Sequence, residues 1–120
     1  MARFSRGDVV LVPFPFVVIS DIKRKLRPAL VISDHSKRRR YSDIILVPIT
    51  SRIPRSTFPT EVTIEETSSY FHTTGLAKTS MVRCEMIMTL PEDIIVKKIG
   101  IFHKELMVSV AQALKVSIGI

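Results

Sequence analysis

The chain has 120 residues, is 46% hydrophobic and carries a formal net charge of +7. Such a length supports one core, so a single domain over residues 1–120 with no linker is expected. Four isolated glycines, no low-complexity tract and no repeat period argue against disordered, fibrous and solenoid classes.

Taken in chain order, "GDVVLVPF" (7–14) reads as a mostly continuous apolar strand, as do "PALVIS" (28–33) and "DIILVPI" (43–49). The apolar run 9–19 could pass for a signal peptide or a membrane span. Asp8, two prolines, "SDIK" downstream and a length of about eleven residues, against the roughly 20 a spanning helix needs, speak against both. "TEVTIE" (60–65) alternates, with Val62 and Ile64 on one face, as a half-buried strand does. "TSMVRCEM" (79–86) and "IMTL" (87–90) complete a β body, with turn chemistry at "SDHS" and "TTG". Thr89 and Glu92 have capping-box spacing around Pro91, so a short helical turn is expected there. From His103 onward Leu106, Met107, Val110, Ala111 and Leu114 recur at helical spacing, with Gly119 as the stop. The expected fold is therefore mainly β, a small antiparallel barrel or half-barrel closed by a C-terminal helix.

The charge is uneven. Residues 1–60 hold 12 Lys/Arg against 4 Asp/Glu, whereas residues 61–120 hold 6 against 7. The densest runs, "KRKLR" (23–27) and "KRRR" (37–40), fall in segments read as loops near an Arg-bearing strand end, which suits a polyanion better than mere solvation. Isolated glycines rule out a phosphate-cradling loop, and His35, His72 and His103 with Cys84 lack zinc-ligand spacing, so neither cofactor nor metal is expected. The one cysteine precludes an intrachain disulfide, which suits a reducing cytoplasm, and reads as a small buried hydrophobe.

What remains is a set of polar residues at strand ends. Arg27 precedes Pro28; Thr50, Ser51 and Arg52 follow "VPI"; Arg83 and Glu85, two apart, share a face if the strand continues through them. Singly, each has a structural reading, a surface ion pair or a strand terminator.

Together, the stretches "RGDVVLVPF", "LRPALVIS", "VPITS", "TTGLAKTS", "VRCE" and "IGIFHKELMVSVAQALKVSIG" resemble the MazF/PemK family of toxins, in that family's order and over nearly the whole chain. The resemblance implies the SH3-like, CcdB/MazF-type barrel, a homodimer, and an antitoxin partner with an acidic flexible tail, beside the cytoplasmic location expected from the lone cysteine and the absence of a membrane span expected from the apolar run. It also implies metal-independent endoribonuclease activity on single-stranded RNA, by attack of a 2′-hydroxyl on the adjacent phosphorus. Carried onto this sequence, it makes Arg27, Thr50, Ser51, Arg83 and Glu85 the catalytic set. Met86 and Met88 stand where many relatives have glutamine and arginine.

Within that reaction Glu85, the one acid of the set, is expected as the base. Arg27 offers a fork of donors to the phosphoryl oxygens; Arg83, a general acid by the resemblance, is expected to stabilise charge unless a solvent proton is relayed through it. Thr50 and Ser51 hydrogen-bond the phosphate. Lys23, Arg24, Lys25, Arg38, Arg39 and Arg52 are expected to follow the RNA backbone, with Phe16, Tyr41 and Phe58 available for stacking. A non-catalytic interaction module, such as a gyrase-poisoning toxin on the same barrel, is the alternative. A duplex-DNA binder is weaker, since the terminal helix is too apolar to serve as a recognition helix.

Overall fold

A computed structural model describes residues 3–14 and 25–120. Among the described residues seven antiparallel strands make up one sheet: β1 (Asp8–Phe14), β2 (Lys25–Val31), β3 (Ile44–Thr50), β4 (Glu61–Ile64), β5 (Ser80–Arg83), β6 (Met88–Leu90) and β7 (Lys97–Ile101). They run in the order β4-β5-β3-β2-β1-β7, with β6 also on β3. An α-helix, α1 (Lys104–Ile118), follows. Among the described residues β4 and β7 share no ladder, so the sheet is an open barrel. No helix of the described residues is long and apolar enough to cross a membrane.

The continuous apolar character of Val9–Val12 in β1, Ala29–Val31 in β2 and Ile44–Ile49 in β3 has a direct cause: both faces are covered there. Val9, Leu30, Val47 and Ile49 point into one cluster with Phe102, Met107, Val110 and Ala113, whereas Val10, Val12, Ala29, Val31, Ile44 and Leu46 point into another with Phe4 and Ile95. Successive side chains of a strand face opposite ways, so a strand between two cores must be apolar at nearly every position. The helix buries Met107, Val110 and Ala113 against the first cluster. It starts where the His103 Nδ1 accepts the Glu105 N–H at 3.3 Å, and it stops at Gly119, whose φ of 76° lies in the left-handed region. Stacking of Tyr70 on the His103 ring, and its hydroxyl's bond to Glu105, fix that first turn.

Three sequence expectations change. First, β2 begins at Lys25, not at Pro28, because Phe14, Pro13 and Val12 pair with Lys25, Leu26 and Arg27; a charged stretch read as loop is an exposed strand end. Second, β5 stops at Arg83, and Cys84–Glu85 form a turn closed by the Met86 N–H on the Arg83 carbonyl at 3.3 Å. The shared face expected for Arg83 and Glu85 is lost there. Third, the turn 92–94 is a 3₁₀ helix capped by Pro91 with no side-chain cap, while Thr89 stays in β6 opposite Ile45.

One strand was not foreseen. β7, "KKIGI", pairs with β1 across a bulge between Val9 and Val10. Lys98 there meets the buried Asp8 carboxylate at 3.2 Å. Beside β7 runs a 3₁₀ turn (Phe71–Thr74), and the two backbones nearly touch. A Cβ on Gly100 would lie 2.3 Å from backbone atoms of Thr74, and one on Gly75 2.1 Å from the Ile99 carbonyl oxygen.

Candidate active site

The β2–β3 register sets the site. Ala29 pairs with Pro48 and Leu30 with Val47, so continuation of the register brings Arg27 opposite Thr50, where β2 begins and β3 ends. Pro48 is tolerated in this central strand for a local reason. Ile45 accepts the Ile32 N–H, so odd residues of β3 turn their backbone groups toward β2 and even residues turn away from it. The missing N–H of Pro48 therefore faces the edge on which β3 changes partner, from β6 at 44–46 to β5 at 49–50.

Past that change of partner lies a cleft of about 490 Å³, lined by Phe14, Arg27, Pro28, Pro48, Ile49, Thr50, Ser51, Arg52, Leu76, Ala77, Lys78, Ser80 and Arg83. Five residues expected at the site from sequence thus meet here: Arg27, Thr50, Ser51, Arg52 and Arg83. Thr50 Oγ1 accepts the Arg52 N–H at 3.1 Å, a short side-chain turn that fixes the chain as it leaves β3. Lys78 is held by its backbone: its carbonyl accepts the Ser80 hydroxyl at 2.7 Å. Upstream, Thr74 Oγ1 donates to the Phe71 carbonyl at 2.7 Å and accepts the Leu76 N–H at 3.2 Å.

The cleft is cationic. Arg27, Arg52, Lys78 and Arg83 contribute four positive charges, the described lining contains no carboxylate or imidazole, and no ion pair among the described residues involves any of the four. Such an arrangement favours an anion with several oxygens, and the planar guanidinium forks suit phosphate. Lys78 and Phe14 were missed from sequence. A lone lysine between Gly75 and a strand carried no spacing signal, and Phe14 reads simply as the end of β1.

Other expected site residues lie elsewhere. Glu85 is outside the cleft lining; its Oε2 accepts the Thr60 hydroxyl at 2.6 Å, so the turn after β5 points its carboxylate toward the β4 approach. Lys25 is exposed at the start of β2, paired with Phe14, next to the cleft. Lys23, Arg24 and Phe16 fall outside the described residues. Phe58 is exposed ahead of β4. Arg38 and Arg39 do not join this cleft. They line another, of about 520 Å³, in the β2–β3 loop, at the opposite end of the hairpin. The expectation that the 37–40 run adjoins the arginine-bearing strand ends is corrected by the hairpin itself, which carries its loop away from them. Met88 packs against the second core cluster. Burial pushes the Cys84 thiol up to about 11, so it is no nucleophile at neutral pH.

Residues 5–118 match the family of PemK-like, MazF-like toxins of type II toxin–antitoxin systems. A curated relative, Endoribonuclease MazF from Staphylococcus saprophyticus, is 30% identical over 115 residues, covering 96% of this chain and 91% of the relative. Among solved structures, MazE-MazF from Deinococcus radiodurans superposes with a TM-score of 0.75 at 20% identity, covering 98% of this chain and 96% of that one. A mycobacterial endoribonuclease in complex with its cognate antitoxin gives 0.72 at 22% identity, with the same coverage. The fold is theirs, and the family match spans nearly every element that builds the cleft. The chain belongs to the PemK-like, MazF-like toxins of type II toxin–antitoxin systems.

Proposed function

We propose that this member of a toxin family with endoribonuclease relatives cleaves single-stranded RNA in the cleft between the start of β2 and the end of β3. The 2′-hydroxyl oxygen attacks the adjacent phosphorus, the bond to the 5′-oxygen breaks, and the ends are a 2′,3′-cyclic phosphate and a 5′-hydroxyl. The proton of the 2′-hydroxyl passes to solvent, and the departing 5′-oxygen gains one from water. The observation that carries this reading is the grouping of four cations unpaired within the described residues with the Thr50 and Ser51 hydroxyls at rigid strand ends.

Charge stabilisation is the main effect. The pentacoordinate phosphorane gathers negative charge on its equatorial oxygens, and fixed donors aimed at that charge lower the barrier most. Arg27 and Arg83 come from separate strands, and their guanidinium cations supply this charge without a metal ion. Thr50 and Ser51 add neutral hydrogen bonds, and Phe14 and Lys78 line the path of the neighbouring nucleotides. Glu85, held by Thr60 outside the cleft, fixes the turn after Arg83 in this scheme instead of acting as the base.

A homodimer and an antitoxin with an acidic segment complete the proposal; the cationic cleft is suited to such a segment, and two structural neighbours are complexes of a toxin with its antitoxin. An RNA substrate and a lone buried thiol both fit a cytoplasmic setting. The test is incubation of purified protein with single-stranded RNA in excess chelator. Cyclic-phosphate and 5′-hydroxyl ends are expected. Intact RNA, together with a tight complex with a cellular protein, would mean a non-catalytic module.

A further inference from the structure

The loop between β2 and β3 is a built surface. Asp34 accepts both the Ser36 N–H at 2.9 Å and its hydroxyl at 2.6 Å, the Arg39 guanidinium donates to the Asp34 carbonyl at 3.3 Å, and Ser33 Oγ bonds the His35 ring and accepts the Ile45 N–H at 3.0 Å. From this frame Lys37, Arg38, Arg39 and Arg40 project, none of them in an ion pair among the described residues; the Asp34 carboxylate feels the charges of Lys37 and Arg39, and Glu92, the acid in the cleft wall, is engaged by Arg3. Beside the cations Tyr41 is 71% exposed. A cationic run next to an exposed aromatic ring is what binds a single nucleic-acid strand: charges follow the phosphates and the ring stacks a base. An acidic peptide needs the charges but not the ring.

The position is as informative as the composition. Six residue steps lead from Ile44 to Thr50 along β3, and six from Arg27 to Ser33 just past the end of β2, so the two clefts lie about 20 Å apart along one hairpin. By strand alternation Arg27 and Thr50 fall on the side of Ala29, Val31, Ile44 and Leu46, the side that also carries the turn bearing Glu92. A stacked strand rising about 3.4 Å per nucleotide spans that distance in about six nucleotides.

We propose that the β2–β3 loop is a second binding site for the same RNA strand, holding phosphates and a stacked base about six nucleotides from the bond cut in the first cleft. The inference rests on the ribonuclease reading above. Its test is binding of non-cleavable 2′-O-methyl oligouridylates of four, eight and twelve nucleotides across a range of salt. The parent protein gains affinity as the oligonucleotide lengthens. The Lys37→Ala/Arg38→Ala/Arg39→Ala/Arg40→Ala variant loses that gain, and its slope of log affinity on log salt flattens by up to about 3, from roughly 0.7 per phosphate contact. Because Arg39 also braces the loop, a variant with only Lys37, Arg38 and Arg40 replaced is measured beside it; the slope there flattens by about 2. Tyr41→Ala weakens the longer oligonucleotides by about 5- to 150-fold with the slope unchanged, the range expected from loss of one stacked base. A parent with no gain on lengthening, or variants that bind long oligonucleotides as the parent does, overturn the inference. So does a loss confined to binding of polyglutamate. Cleavage is scored separately: a parent that cuts no RNA sinks the reading beneath this one, whereas a cutting parent with unaffected loop variants sinks this one alone.

Discussion

Replacement of Arg27 by alanine separates the proposed chemistry from a carboxylate-based one when it is read against Glu85→Gln. Arg27 is exposed at the start of β2 and forms no ion pair among the described residues, so its loss should change unfolding free energy by no more than about 0.5 kcal/mol. Its share of phosphorane stabilisation is of the order seen when one preorganised donor is removed, about 10²- to 10³-fold in the chemical step, or roughly 3–4 kcal/mol. Arg27→Lys keeps the charge and loses the fork, so it should fall between the two. Glu85→Gln preserves an oxygen that can accept the Thr60 hydroxyl, leaves the turn after β5 in place and should retain activity within about tenfold. The assay is single-turnover cleavage of a fluorogenic RNA with excess chelator, run from about pH 5 to 9, with thermal unfolding as the control on the fold. The reasoning is refuted if Glu85→Gln falls as far as Arg27→Ala and the acid limb of the parent's pH profile vanishes with it. The carboxylate would then have left Thr60 to take the proton.

Three further outcomes follow from the packing. Gly100→Ala drives a methyl group into the Thr74 backbone and should cost about 3 kcal/mol or more, seen as a lower urea midpoint; an unchanged midpoint would mean that β7 and the turn 71–74 can separate freely. Cys84, fully buried and with its thiol pushed up to about 11, should be about 0.1% thiolate at pH 8 and react with a disulfide reagent only after denaturant is added; stoichiometric reaction of the native protein would contradict that burial. Burial first, and the Arg39 charge second, lower the His35 pKa below 6.5 in the folded chain. The unfolded chain therefore binds the proton more readily, so this contribution to stability is present above pH 6.5 and shrinks as pH drops through the folded value, a dependence that His35→Gln should flatten.

Legibility followed burial. The apolar stretches of β1, β2 and β3, Val9–Val12, Ala29–Val31 and Ile44–Ile49, could be read because each lies between two clusters, and α1 because Leu106, Met107, Val110 and Leu114 repeat toward one of them; the charged start of β2, outside those clusters, could not. Arg27, Thr50 and Ser51 come together in the sequence through the resemblance to the MazF/PemK toxins, and in the fold the β2–β3 register brings Arg27 opposite Thr50. β7 could not be read: its lysines, and the glycine it needs for the approach to Thr74, are dictated by distant chain segments that leave no local period. The same holds for Glu85. Alternation predicts its face only while the strand continues, and the strand ends two residues earlier in a turn that no glycine or proline announces.

The cleft itself follows from β3 having two partners on one edge. β6 covers Ile44 to Leu46, and with it come the turn 92–94 and the apolar contacts of Leu90, Ile94 and Ile95 that close the second cluster. From Pro48 onward that cover is gone and β5 takes the edge instead, opposite Ile49 and Thr50. The sheet face that is core at Leu46 is therefore open at Thr50, within the length of four residues, and what it exposes is polar because solvent or a ligand must meet it there. Pro48 makes the exchange possible: with no N–H to offer, it leaves no donor unsatisfied in the gap between the two partners. A strand that begins in the core and ends at the surface thus delivers hydroxyls from a rigid base into a field of arginines, with the precision that phosphate geometry demands.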